Sequence, residues 1–183
     1  MPELHSFHIF FRKNCIHRYL HSDAAVTAVK QCTSIVSARE RSNYGSQCKE
    51  PDSTDPKDST EEDLTEKYEQ YEKLLIGFIC GLTSFCKTIH VTNELKRPER
   101  LSVAYFNLCA TSNFSMHYLE TVSGYKLICV TSPDVPSLEM TMNAIYTDLI
   151  TTMVLSNPLY TIGSIITFPE FDEIVAKTLL ANI

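Results

Sequence analysis

The sequence has no tryptophan, five glycines in 183 residues, and no surplus of positive charge. Each shortage excludes something. With so few glycines, neither G-x-x-x-x-G-K-[ST] nor G-x-G-x-x-G occurs, so the backbone cradle that phosphate groups need is missing. Lys+Arg 16 against Asp+Glu 22 give a net charge of −6, with a pI near 5.5. A nucleic-acid binder normally shows a basic surplus or stripe, and docking to an anionic membrane needs clustered Lys and Arg. Long apolar runs are lacking too. The longest is Leu74–Leu82, against roughly 20 residues for a bilayer span. The seven cysteines are odd in number and contain no C-x-x-C. They read as reduced thiols packed as small hydrophobes in a cytosolic protein. At the N-terminus Arg12 and Lys13 follow the apolar stretch instead of preceding it, so no signal peptide is expected there.

What is present is enough for one packed domain: 44% of residues are hydrophobic. Leu4–Arg12 alternates as a strand, with Phe7, Ile9 and Phe11 on one face and His8 and Phe10 on the other. A polar break at Lys13-Asn14 leads to a second strand, Cys15–Leu20. From about 21 to 60 the pattern weakens. Residues 42–60 hold no Val, Ile, Leu, Met or Phe, so this stretch cannot bury enough apolar area to offset its ordering entropy. It is expected to be a poorly ordered insertion.

Glu61–Ile89 is predicted as a helix, with acidic residues in its first turn, where the dipole favours anions. Leu64, Tyr68, Tyr71, Leu75, Phe78, Leu82, Phe85 and Ile89 recur at 4-3-4-3 spacing as its apolar stripe. Off that stripe lie Ile76, Gly77, Cys80, Gly81 and Ser84. Two glycines inside a helix cost roughly 1 kcal/mol each relative to alanine, so another backbone is expected to approach there. Small and apolar residues on a second face point to a partner surface. Contact with the chain's own loops is the competing reading. Strands are predicted at Leu101–Ala110, Phe114–Thr121 and Tyr125–Thr131, the last two joined at Ser123-Gly124. They are apolar on both faces, so helices are expected to cover both. Helices at about Leu138–Leu155 and Pro169–Ala181 complete the order β-β-α-β-β-β-α-α.

Chemistry-bearing constellations are sparse. His5-x-x-His8 with Cys15, His17 and His21 holds zinc-type ligands, but on a strand residues 5 and 8 point to opposite faces. Cys109 or Cys129 with His117 is the candidate nucleophile and base, but thiols within apolar strands are usually inert. Glu61–Asp63 with Glu66 and Glu69 reads as a solvated helix start before it reads as an acid–base pair. No catalytic residue, metal or cofactor is assigned.

Four segments carry a resemblance. FHIFFRKNCIHRY resembles the opening hairpin of the TRAPP subunit 1 family, the small core subunits of the transport protein particle. KLLIGFICGLTSFCKTI is similar to that family's first helix, with Leu74, Leu75 and Gly77 in its L-L-x-G pattern. FSMHYLETVSGYKLICVTSP resembles its central hairpin through His117, Tyr118, Glu120, Thr121, Gly124 and Lys126. IYTDLITTMVLSNPL resembles its second helix and exit, here Asn157, Pro158 and Leu159. Two departures stand out. The connection between second strand and first helix is unusually long, and Phe11 occupies a position commonly acidic in the family.

The resemblance implies a single longin-like α+β domain over 1–183, with a five-stranded antiparallel sheet between helices. It implies a non-catalytic subunit of a vesicle-tethering complex in transport between endoplasmic reticulum and Golgi. Partners would be other small subunits, of the synbindin and palmitate-binding types, and a Rab-family GTPase engaged by the whole complex. Membrane association would be peripheral and through the complex, at the cis-Golgi and endoplasmic reticulum. The competing classes are another longin-fold trafficking protein, such as an adaptor small subunit, a small cysteine enzyme, and a metal-binding module.

Overall fold

The structure is a computed structural model that describes residues 2–21, 61–93 and 106–183, with side chains over 65–89 in the second stretch. From residue 22 on, the expected insertion lies outside the described residues, as do 101–105 of the third predicted strand.

The chain folds as an antiparallel sheet with helices on both faces. β1 (Leu4–Phe11) and β2 (Asn14–Leu20) form a hairpin. Helix α1 (Glu61–Asn93) follows, then β3 (Leu108–Ala110), β4 (Ser115–Glu120) and β5 (Tyr125–Thr131). The sheet order is β2-β1-β5-β4-β3, and every neighbouring pair is antiparallel. β5 lies at the centre of the sheet, between β1 and β4. Helix α2 (Glu139–Ala144), its π-helical continuation (Ile145–Leu155) and α3 (Pro169–Leu180) complete the fold.

Each face of the sheet has its own core. Phe7, Ile9, Leu127 and Cys129 pack with Met142, Ile145, Ile150 and Val154 of the second helix and Phe171, Val175 and Leu179 of α3. On the other face Phe10, Met116, Tyr118 and Ile128 pack with Leu75, Ile76 and Ile79 of α1. This two-sided burial is why the strands lack a clean polar alternation.

The second helix departs from its expected α-helical form. Ile145, Ile150 and Val154 are buried, whereas Met140 is 83% exposed. The wider π turn, hydrogen-bonded to the fifth residue, brings residues five apart onto one face. Side chains repeat the pattern: Thr151 Oγ1 donates to Tyr146 O and Ser156 Oγ to Thr151 O.

Gly163 sits at φ +88, and a Cβ there would lie 2.8 Å from the Phe11 ring. A left-handed backbone and a blocked position act together. Gly163→Ala is expected to lower unfolding stability by about 2 kcal/mol, measured by chemical denaturation. An unchanged midpoint would show that Phe11 gives way freely.

Candidate functional site

Helix α1 presents apolar residues on two faces. Its buried face carries Leu75, Ile76 and Ile79, flanked by Glu72 and Thr83. Arg18 of β2 anchors this face. Its Nε lies 3.2 Å from Glu72 Oε1, and its guanidinium rests 4.7 Å above the Tyr68 ring. Burial pushes the Glu72 carboxyl above its ordinary pKa, with Arg18 opposing the shift. The opposite face exposes Leu74 at 48%, Phe78 at 49% and Phe85 at 63%. The spacing 74, 78, 85 aligns these three along one strip.

The five residues singled out from the sequence divide between the faces. Ile76 is in the core with Phe10, Met116, Tyr118 and Ile128, and Cys80 is half-buried beside them. Neither side chain stands free on the surface of the folded chain. Gly77, Gly81 and Ser84 are exposed. A Cβ at Gly77 or Gly81 would meet no atom within 4 Å, so among the described residues no backbone approaches them. The stripe read from 4-3-4-3 spacing is also shifted. The sheet takes Leu75 and Ile79, while Phe78 and Phe85 turn outward. Sequence reasoning missed Phe78 and Phe85 as surface residues because they share the period of the buried ones.

The cysteine–histidine candidates do not meet in a reactive arrangement. His117 opposes Cys129 across β4 and β5, but its ring is already engaged. Leu138 N–H donates to Nδ1 at 3.3 Å, so Nε2 carries the proton and donates to Thr131 Oγ1 at 3.0 Å. Burial lowers the His117 pKa to about 4 and raises that of the Cys129 thiol. Both groups are held neutral, whereas an activated pair needs a thiolate beside an imidazolium. Cys109 pairs with Met116 and packs on the α1 side. Burial and Glu72 push the Cys15 thiol up to about 12. Native protein is therefore expected to label at Cys15 and Cys129 at least tenfold more slowly than unfolded protein. Rapid labelling of either would contradict their burial.

The zinc-type ligands separate as well. His8 faces α1, near Tyr71. His17 packs against Phe171 on the other side, with Nδ1 3.4 Å from Asp172 Oδ1. Among the described residues no three His, Cys, Asp or Glu side chains could hold a metal ion, and no helix is long and apolar enough to cross a membrane.

The strand order, the helix on one face and the helix pair on the other define a longin-like α+β protein. The sequence model of the Sybindin-like family matches residues 17–182, and the chain belongs to that family. It is 30% identical over 100 residues to "Trafficking protein particle complex subunit 1" of Dictyostelium discoideum, covering 55% of this chain and 66% of that protein. It is 31% identical over 90 residues to "Transport protein particle subunit bet5" of Schizosaccharomyces pombe, covering 49% and 52%. These matches agree with the resemblance to the TRAPP subunit 1 family carried by the hairpin and Asn-Pro-Leu motifs.

Proposed function

We propose that the chain is a structural subunit of a TRAPP-type assembly, acting in vesicle traffic between endoplasmic reticulum and Golgi. The observation that carries this reading is the exposed apolar strip Leu74, Phe78 and Phe85 on α1, beside the open surface of Gly77, Gly81 and Ser84. Burying the exposed half of each phenylalanine against a neighbour contributes about 1 kcal/mol per ring. The glycines let that neighbour's backbone come close. The names of the two relatives support a transport-particle partner set.

In this reading the chain docks synbindin-type and palmitate-binding small subunits and reaches membranes peripherally, through them. It lends surface, and no reacting side chain, to nucleotide exchange on a Rab-family GTPase. Exchange requires preferential binding of the nucleotide-free GTPase, which complementary surfaces alone can supply.

The test is gentle affinity purification of the full chain from its own cells, with quantitative mass spectrometry. Several other small longin-like subunits are expected in near-equal amounts, and Phe78→Asp is expected to lose at least one of them. Recovery of the chain by itself, at monomer mass, would overturn the reading.

A further inference from the structure

The end of the sheet that carries the β1–β2 and β4–β5 turns gathers four exposed aliphatic side chains. Val122 is 89% exposed, Leu159 90%, Ile162 67% and Ile165 69%. Neighbouring contacts bring their two segments together. Arg12 N–H donates to Gly124 O at 3.0 Å and joins the two turns. Gly163 lies against the Phe11 ring, and Ile166 N–H donates to Ile16 O at 2.8 Å. Ile165 and Lys13 line the same cleft beside β2. Isolated exposed aliphatics need no explanation. Four on adjoining turns form a patch.

The loop that supplies three of them is already ordered. Leu159 N–H donates to Asn157 Oδ1 at 2.9 Å, Ser164 N–H to Thr161 O at 3.0 Å, and Tyr160 OH to Ser164 O at 2.7 Å. Docking it would freeze little further backbone freedom. Its charge is equally specific. Residues 157–168 and 121–124 carry no charged side chain. Arg12 and Lys13 are exposed at this end, and neither forms an ion pair with a described residue.

We propose that this end is a second docking surface, away from the α1 strip. It fits a folded protein partner whose contact face is apolar at its centre and bears carboxylates opposite Arg12 and Lys13. A second copy of the same end would bring no free carboxylate to these cations, because Glu69 and Glu72 in the shared cleft are already paired with Lys73 and Arg18. The net charge of −6 disfavours an anionic bilayer as the occupant. The proposal rests on the assembly reading above for the partner being a protein, and adds where and by what chemistry it binds.

The test uses the assembly purified from its own cells with the full chain. Zero-length carbodiimide coupling is expected to join the Lys13 amine to an Asp or Glu of another protein. Leu159→Glu with Ile162→Glu is expected to reduce recovery of that protein at least tenfold. It should leave the melting temperature and the partner lost with Phe78→Asp unchanged. The inference is overturned if Lys13 couples to a second copy of this chain, or if the double variant retains every partner. It is also overturned if the variant instead abolishes cosedimentation with phosphatidylserine–phosphatidylcholine vesicles. Loss of partners with Phe78→Asp but not with the loop variant would sink this inference alone. Recovery of the unaltered chain with no partner would sink the assembly reading too.

Discussion

Lowering the pH from 7.5 to 5 is expected to destabilise this protein, its three buried histidines acting independently contributing roughly 6 kcal/mol and the raised carboxyl of Glu72 opposing them. His8, His17 and His117 are each 5% exposed or less. Burial lowers their pKa values to about 3, about 4 and about 4, and at His17 Asp172 opposes the shift. The folded state therefore holds these rings neutral, while the unfolded chain takes up protons below about 6.5. Stability is fully present above pH 6.5, declines as pH falls, and levels off near each folded pKa. By pH 5 each ring accounts for roughly 2 kcal/mol.

The structural reason is plainest at His117, where a proton on Nδ1 would meet the Leu138 N–H and detach the start of α2 from the sheet. His8 allows a sharper test. Neither of its ring nitrogens has a hydrogen-bond partner among the described residues, and it lies between Phe10 and Tyr71. His8→Leu is expected to stabilise by about 1 kcal/mol at pH 7.5 by removing unsatisfied polar atoms, and by about 3 kcal/mol at pH 5. Denaturant unfolding at both pH values measures this. A wild-type protein equally stable at pH 5 and 7.5 would refute the account.

Adjacent residues on α1 should respond in opposite ways. Ile79 is fully buried and Phe78 is 49% exposed. Ile79→Ala is expected to cost about 3 kcal/mol, from lost transfer energy and an unfilled cavity on the α1 side of the sheet. Phe78→Ala should change monomer stability by less than about 1 kcal/mol and act on association instead. Ile76 follows Ile79: a charged residue there should unfold the domain before it affects any partner. Denaturation of the variants side by side checks the orientation of the helix. Equal losses at 78 and 79 would show that both residues face the interior.

Much of this architecture was legible in the chain. Phe7 and Ile9 alternate against His8 and Phe10, and the structure puts these pairs in separate cores. Apolar residues on both sides of β4 and β5 implied helices on both faces, and both are there. Period 2 and two-sided hydrophobicity are local properties, so a sequence states them directly. The same local character lets short segments such as the opening hairpin and Asn157-Pro158-Leu159 carry the family resemblance.

Three matters needed the tertiary structure. The rotation of α1 was one, because a helix apolar over most of its circumference leaves its azimuth open. The sheet chose Leu75, Ile76 and Ile79, the residues that meet Phe10, Met116 and Tyr118. The π-helical turns were another. The step of five from Ile145 to Ile150 does not fit the three- and four-residue spacings of an α-helix, and the contacts with the sheet settle which residues are buried. The last was the joining of Val122, Leu159, Ile162 and Ile165 at one end. They are up to 43 positions apart, and what unites them is the Arg12–Gly124 hydrogen bond and the seat of Gly163 against Phe11. Local patterns fix which residues can be buried. Packing between distant segments fixes which of them are, and so which remain for a partner.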